Sequence, residues 1–204
     1  MLDPKILRLV AITDDAEEQR STLVDRVAAA VRGGATSVQV RLKRATPREV
    51  VEITKAIVSK VPVPVIVNDR ADIALAAGAA GVHVGEADLP VIAIRRFAPT
   101  SFIIGASLGG DAELANAKEA DYVGIGPLFA TDTKGDAGKA IGIAGFKKLA
   151  GLAGRPAVAV GGLSAESAAQ VMAAGGAGVA VINAIFRGED PERAARSIAA
   201  AIGM

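Results

Sequence analysis

Two stretches, Val65-Ile66-Val67-Asn68-Asp69-Arg70 and Val82-His83-Val84-Gly85-Glu86-Ala87-Asp88, decide how this chain folds. Each begins as a short β-branched run and ends abruptly in polar residues. The segment between them, residues 71–77, is rich in alanine and is followed by Gly78, which indicates a helix with a glycine C-cap. The pattern is strand, helix, strand, with charged groups at the carboxyl ends of both strands. In parallel sheets this is the end where ligands bind.

The same alternation runs along the whole chain. Helical segments follow apolar runs, and Thr46-Pro47-Arg48-Glu49 and Asp190-Pro191 supply clear helix starts. The predicted strands are Leu9–Ile12, Ser37–Val40, Val65–Val67, Val82–Val84, Phe102–Ala106, Tyr122–Ile125, Ala157–Val160 and Gly178–Ile182. Eight strand–helix units without a linker or a break in composition predict an α/β fold, a single (β/α)8 TIM barrel in which residues 1–204 form one domain. A doubly wound open sheet is the alternative, but no G-x-G-x-x-G follows the first strand.

The composition excludes several classes of protein. Only 3% of residues are aromatic, so the core consists of Ala, Val, Ile and Leu, and surfaces for base stacking are not expected. A net charge of +1 gives no reason to expect a nucleic-acid or membrane partner. Cysteine is absent, which excludes disulfides and thiolate metal sites. Without a signal-peptide pattern or a long apolar run, the simplest expectation is a cytoplasmic protein.

Two carboxylates, Asp69 and Asp88, follow adjacent predicted strands. They suit a hard divalent cation, because Mg²⁺ typically takes one or two carboxylates and completes its coordination with water and phosphate oxygens. The alternative is that both aspartates are helix N-caps, which are common after a strand.

The second strand continues into polar residues. Alternation places Gln39, Arg41 and Lys43 on one side of the strand and Leu42 on the other. Polar side chains facing a barrel interior are costly unless a ligand or partner pairs them, so this side predicts a binding surface. The alternative is a solvated strand end.

Two further loops contain candidate anion-binding residues. The long loop after the sixth strand, residues 126–138, carries Thr131, Thr133 and Lys134, which predicts a lid with an anion clamp rather than a plain surface loop. The seventh strand ends in Gly161-Gly162. The loops after strands 7 and 8 are the usual phosphate site of such barrels, although glycine also serves simple turns.

With these residues in view, the chain resembles the thiamine phosphate synthase family almost from end to end. The matching phrases are Gln39-Val-Arg41-Leu-Lys43, Val67-Asn-Asp-Arg70, Gly81-Val-His-Val-Gly85, Asp88-Leu-Pro90, Gly126-Pro-Leu-Phe129, Thr131-Asp-Thr-Lys134 and Ala159-Val-Gly-Gly162. The resemblance implies an enzyme that joins hydroxymethylpyrimidine diphosphate to hydroxyethylthiazole phosphate and releases diphosphate, with Mg²⁺ as cofactor. It implies small-molecule substrates and leaves both a monomer and a homo-oligomer open.

The resemblance also implies a role for each matching residue. Asp69 and Asp88 would hold Mg²⁺, and the catalytic, diphosphate-binding set would be Arg41, Lys43, Asn68 and Lys134. Gln39, Ser107, Thr131 and Thr133 would orient the substrates. The thiazole phosphate would be bound by Gly162, Val181, Ile182 and Asn183.

The sequence departs from the family pattern at a few positions, namely Leu42, Glu86, Asn183 and the short segment Ser107-Leu-Gly-Gly110, which lacks a common histidine. That histidine is what a related thiazole tautomerase relies on, so a synthase is favoured over a tautomerase. A non-catalytic binder of thiamine intermediates is the second alternative. The single histidine, His83, lies within a predicted strand and is expected to make packing or ring contacts rather than act as a base.

Overall fold

The computed structural model describes residues 2–13, 17–130 and 139–204, and they form a closed barrel of parallel strands. The strands are β1 (Leu9–Ile12), β2 (Ser37–Val40), β3 (Val65–Asn68), β4 (Gly81–Val84), β5 (Ile103–Leu108), β6 (Tyr122–Ile125), β7 (Ala157–Val160) and β8 (Gly178–Val181). Each strand pairs with its neighbours in sequence, and β8 pairs with β1. The predicted (β/α)8 barrel is confirmed, and the open sheet is excluded. That residues 1–204 form one domain stays a prediction.

Helices cover the outside of the strands and connect them. They are α1 (Leu23–Arg32), α2 (Pro47–Lys60), α3 (Ala71–Ala77), α4 (Val91–Arg95), α5 (Leu114–Lys118), α6 (Gly142–Ala153), α7 (Ala165–Ala173), α8 (Asn183–Phe186) and α9 (Pro191–Ala201). The helix signals in the sequence are confirmed: Thr46 and Glu49 form a capping box, Gly78 adopts a left-handed conformation, and Asp190 caps α9. None of the helices in the described ranges is long and apolar enough to cross a membrane.

Four strands differ from the sequence prediction by one or two residues at a boundary: β3 extends to Asn68, β4 begins at Gly81, β5 begins at Ile103 and ends at Leu108, and β8 ends at Val181. β5 runs on to Leu108, because Ser107 and Leu108 pair with Gly124 and Ile125 of β6. β8 stops at Val181, because the backbone turns at Ile182 to begin the short helix α8. The extension of β5 depends on pairing with β6, which local sequence patterns do not reveal.

The barrel core has two apolar layers because side chains alternate along each strand. The layer between strands and helices includes Leu9, Ala11, Val38 and Val40. The opposite face of the strands supplies the lumen, filled by Leu7, Val10, Ile12, Tyr122, Val158, Ala180 and Ile182. The polar residues that follow the strands therefore stand above a packed floor rather than over a channel.

The first and last parts of the chain meet at the seam between β1 and β8. A Cβ atom on Gly178 would lie 1.8 Å from the Leu7 carbonyl oxygen, so the two segments approach as closely as only glycine permits. From α1, the Arg26 guanidinium donates hydrogen bonds to the carbonyl oxygens of Phe186 (2.6 Å) and Gly188 (2.7 Å). The barrel closes through this seam.

Candidate functional site

The Asp69 backbone is strained at the carboxyl end of β3. Its φ is +65°, the only positive value at a non-glycine position within the described residues. The Arg70 N–H donates to the Asn68 carbonyl oxygen at 2.8 Å, which closes a γ-turn around Asp69. The Asp69 N–H is held by the His83 carbonyl oxygen at 2.8 Å. Such a conformation persists only where the surroundings enforce it, and it is concentrated at functional sites.

The Asp69 carboxylate lies beside the Asp88 carboxylate. Burial raises the pKa of Asp69 above its ordinary value, and the charge and hydrogen bonding of Asp88 raise this pKa further. Lys43, whose Nζ lies 3.9 Å from Asp69 Oδ2, and Arg41 act in the opposite direction. Burial and the neighbouring Asp88 together outweigh these two cations, so ionisation of Asp69 is disfavoured in the folded protein.

Neither aspartate caps a helix. The helix α3 begins after Arg70 and α4 after Pro90, and neither N-cap residue makes a side-chain capping bond. Asp88 Oδ2 instead accepts a hydrogen bond from the Gly85 N–H at 2.7 Å, within the loop after β4. The N-cap alternative for these two carboxylates is therefore wrong.

The second strand presents its polar side toward the same place. Gln39 is 5% exposed and donates to the Asn68 side-chain oxygen at 2.7 Å. Arg41 is also buried, and its backbone N–H and carbonyl both bond to the Thr13 hydroxyl, at 2.8 and 3.0 Å. Leu42 packs on the opposite side, in the layer beneath the helices. The predicted alternation along this strand is confirmed.

A cavity of about 690 Å³ opens at the carboxyl ends of the later strands. It contains five of the predicted site residues, namely Ser107, Gly162, Val181, Ile182 and Asn183. Gly161 and Gly162 have φ values of +95° and +65°, and a Cβ on Gly162 would lie 2.8 Å from the Ala130 carbonyl oxygen. Only glycine fits this wall of the cavity without strain.

His83 occupies the barrel interior below this cavity. Its Nδ1 lies 3.1 Å from the Tyr122 hydroxyl and its Nε2 lies 3.2 Å from the Ser107 hydroxyl. The ring centroids of His83 and Tyr122 are 5.5 Å apart. The expected ring contact is confirmed, and the polar contacts on both ring nitrogens are additional to it.

Gly85 connects the acidic pair to the cavity. It lines the cavity, and its N–H is the donor to Asp88. The acidic pair therefore adjoins the cavity through Gly85, although the cavity lining does not include Gln39, Arg41, Lys43, Asn68, Asp69 or Asp88. Arg70, although it follows β3 directly, turns away and pairs with Asp72 on α3.

Sequence reasoning missed three residues of this surface. Thr13 ties β1 to Arg41, Glu113 accepts hydrogen bonds from the backbone N–H groups of Gly109 and Gly110, and Lys139 lines the cavity with a cationic side chain. Lys139 follows the long loop directly, so it had a signal in the sequence.

Three of the predicted site residues, Thr131, Thr133 and Lys134, lie outside the described residues. Over the ranges that the structure does describe, no group of three or more His, Cys, Asp or Glu residues could hold a metal ion, so Asp69 and Asp88 form a pair rather than a larger cluster. The assignment of roles to all the site residues stays a prediction.

A closed barrel with a polar surface and a glycine-walled cavity at the carboxyl ends of its strands defines the class of (β/α)8-barrel proteins that bind ligands at this face. The model of the thiamine monophosphate synthase family matches residues 9–185 of the sequence. The chain therefore belongs to the thiamine monophosphate synthase family.

Individual relatives agree with this family. The chain is 43% identical over 203 residues to the thiamine-phosphate synthase of Azorhizobium caulinodans, covering 97% of this chain and 96% of that protein. It is 43% identical over 195 residues to the thiamine-phosphate synthase of Methanoculleus marisnigri, covering 93% and 92%. The solved structure of thiamine phosphate pyrophosphorylase from Pyrococcus furiosus is similar with a TM-score of 0.86 and 35% identity, covering 98% of this chain and 96% of that one.

Proposed function

We propose that this chain is a synthase that joins hydroxymethylpyrimidine diphosphate to hydroxyethylthiazole phosphate and releases diphosphate. The observation that carries the proposal is the acidic pair, Asp69 and Asp88, which shares one surface with Lys43 and Arg41 and connects through Gly85 to a cavity. This arrangement suits a substrate whose charged end is bound by the cations and the metal and whose ring is bound in the cavity.

Asp69 and Asp88 are the residues that would hold Mg²⁺. They fit it because the neighbouring Asp88 charge raises the pKa of Asp69, and a divalent cation would offset that repulsion. When bound, Mg²⁺ neutralises charge on the diphosphate.

Four side chains would bind the diphosphate, namely Arg41, Lys43, Asn68 and Lys134. Gln39 orients Asn68 through their 2.7 Å hydrogen bond, and Thr13 holds the backbone of Arg41. Lys43 already lies 3.9 Å from Asp69, so the cations and the acidic pair meet at the same point. These contacts favour departure of the diphosphate, because charge that develops on a leaving group is stabilised most by donors already in place.

The cavity would bind the two heterocycles and the thiazole phosphate. Gly162, Val181, Ile182 and Asn183 would hold that phosphate at the ends of β7 and β8, while Ser107, Gln39, Thr131 and Thr133 would orient the rings. The cavity volume of about 690 Å³ is in the range of small-molecule sites. Departure of diphosphate leaves a cationic pyrimidine methylene carbon, and the thiazole nitrogen supplies the electron pair for the new C–N bond. Catalysis then rests on positioning and electrostatic stabilisation.

The test is an assay with purified protein, both substrates and Mg²⁺, in which thiamine phosphate and diphosphate are measured. We expect equal amounts of both products, loss of activity with EDTA, and a much lower kcat/KM with unphosphorylated thiazole. Activity on a thiazole phosphate that survives EDTA would instead favour a tautomerase. Tight binding of thiamine phosphate without turnover would favour a binding protein.

Lys134→Ala should lower kcat by a factor on the order of 10² to 10³, the usual effect of removing one donor to charge developing in a transition state. Lys148→Ala, at an exposed position on α6, is the matched control and should leave kcat unchanged. Steady-state kinetics with the diphosphate substrate varied would measure both variants. A change confined to KM would contradict the role in the transition state.

Leu42→Glu, at a position where the chain departs from the family pattern, should not raise kcat/KM, because Leu42 is 7% exposed and packs beneath the helices, away from the site. It should lower the melting temperature, since it buries a carboxylate without a partner. Leu152→Glu, at a position that is 43% exposed, is the control and should do neither. A clear gain in kcat/KM would show that position 42 contributes to the site.

Two other properties stay predictions from the sequence. A cytoplasmic location is one, and the choice between a monomer and a homo-oligomer is the other. Size-exclusion chromatography with light scattering would decide the second.

A further inference from the structure

The interior of the barrel holds a chain of polar contacts beneath the cavity. The Tyr122 hydroxyl contacts His83 Nδ1 at 3.1 Å, and His83 Nε2 contacts the Ser107 hydroxyl at 3.2 Å. Only Ser107 of these three lines the cavity. Tyr122 is 3% exposed, so the contacts run from the buried core to the cavity surface.

The surrounding strands leave space for this arrangement. His83 on β4, Gly105 on β5 and Tyr122 on β6 are neighbours in register. A Cβ on Gly105 would lie 2.5 Å from His83 Nδ1 and 2.3 Å from Tyr122 Cζ, and one on Gly124 would lie 2.9 Å from His83 Cε1. Two glycines therefore enclose the imidazole and restrict its orientation.

The direction of the hydrogen bonds in this chain of contacts follows from Tyr122, the residue at its buried end. Burial, with a smaller contribution from Asp121, raises the pKa of Tyr122, so its hydroxyl keeps its proton. A buried hydroxyl proton needs an acceptor, and for Tyr122 the hydrogen bond that the described residues offer is the one to His83 Nδ1. With Nδ1 as acceptor, the neutral ring carries its proton on Nε2 and donates it to the Ser107 oxygen. The Ser107 proton then points away from His83, toward the cavity.

We propose that Tyr122 and His83 are positioning residues that fix the Ser107 hydroxyl as a hydrogen-bond donor, so that this end of the cavity selects a heterocycle with an unprotonated ring nitrogen. The inference rests on the proposed function for the identity of that heterocycle. The thiazole nitrogen must be free to form the new bond, so the ring that accepts from Ser107 is the pyrimidine.

The direct test is the tautomer of His83. It is the only histidine of the chain, so ¹⁵N-histidine labelling gives a single pair of ring-nitrogen signals. We expect the neutral form with the proton on Nε2 in the wild type without substrate, and a loss of this preference in Tyr122→Phe. A proton on Nδ1 in the wild type would overturn the proposal. Because this measurement needs no turnover, its result stands or falls separately from the synthase activity.

The kinetic test uses the same variant. Tyr122→Phe should raise KM for the pyrimidine diphosphate by about twofold to twelvefold, the value of one neutral hydrogen bond, with little change in kcat. Thr54→Val is the matched control, because it also removes a fully buried hydroxyl but lies on α2. An equal effect in both variants, or an unchanged KM in Tyr122→Phe, would contradict the proposal.

Two comparisons separate hydrogen bonding from packing. His83→Gln can still donate to Ser107 and should keep more affinity than His83→Leu, which is similar in size and cannot donate. The wild type should bind a pyrimidine substrate in which CH replaces the accepting ring nitrogen more weakly than it binds the natural substrate. The Ser107→Ala variant should bind these two substrates with equal affinity. If neither ring nitrogen, replaced in turn, affects binding to the wild type, Ser107 does not donate to the ring.

Discussion

Asp69→Asn is expected to abolish the Mg²⁺-dependent reaction and yet to make the metal-free protein more stable. Asparagine keeps the shape of the side chain and tolerates the left-handed backbone at this position, where φ is +65°. It removes one of two carboxylates that repel each other, and with it half of the proposed metal ligands. Turnover should fall to the background rate, while the melting temperature in EDTA should rise.

The pH dependence of this gain follows from the raised pKa of Asp69. The folded protein binds the Asp69 proton more tightly than the unfolded chain does, so ionisation of Asp69 destabilises the fold. The destabilisation begins as the pH rises past the ordinary carboxyl value of 3.8 and is complete above the raised value. The stability difference between Asp69→Asn and wild type should therefore be small in acid and largest near neutral pH, as denaturant titrations at several pH values would measure.

Asp72→Asn is the matched control for this experiment. Asp72 lies three residues along the chain, and hydrogen bonding to Arg70 lowers its pKa, so the sign of the effect is reversed. We expect Asp72→Asn to lose a little stability at neutral pH and to keep its activity. If Asp69→Asn behaved in the same way, Asp69 would be a structural residue and the metal site would be wrong.

Gly162→Ala should raise KM for the thiazole phosphate by a factor on the order of a hundred. A Cβ at this position would lie 2.8 Å from both the Ala130 carbonyl oxygen and the Phe129 Cβ, so the turn after β7 must shift. A shift would remove one or two hydrogen bonds to the phosphate, each worth about 1.5–3 kcal/mol when the acceptor is charged. Kinetics with thiazole phosphate varied at saturating pyrimidine diphosphate would measure the change.

Gly154→Ala separates crowding at the site from backbone strain. Gly154 has nearly the same φ, +61°, but it caps α6 and nothing lies within 4 Å of the added Cβ. Both variants should lose stability to a similar degree, because alanine is strained in this conformation. Only Gly162→Ala should lose affinity for the phosphate. Equal kinetics in the two variants would mean that the glycines after β7 do not form a phosphate site.

Most of the fold could be predicted from the sequence because its signals are local. The β-branched runs, the Thr46-to-Glu49 capping box and the Gly78 C-cap each act within a few residues, and the structure has all of them. The extension of β5 to Leu108 could not be predicted in this way. It depends on pairing with β6, which is set by the closure of the whole barrel.

The candidate site was predictable in residue type but not in its connections. Alternation placed Gln39 and Arg41 on the polar side of β2, and both are found there. The hydrogen bond from Gln39 to Asn68 and the closeness of Asp69 to Asp88 join different strands. A single sequence indicates the order of the strands, but it does not give the distances between side chains on different strands.

The seam between β1 and β8 has a consequence for a ribosome-bound chain. The first strand leaves the ribosome early and can pair with β2 on one side. Its other edge, which pairs with β8, stays without a partner until residues 178–181 have also emerged. Val181 belongs to that late segment and Ile182 and Asn183 follow it directly, so a nascent chain can complete the acidic pair long before it can complete the cavity. Chains shortened before residue 178 should therefore aggregate through the open strand edge rather than survive as a partial enzyme.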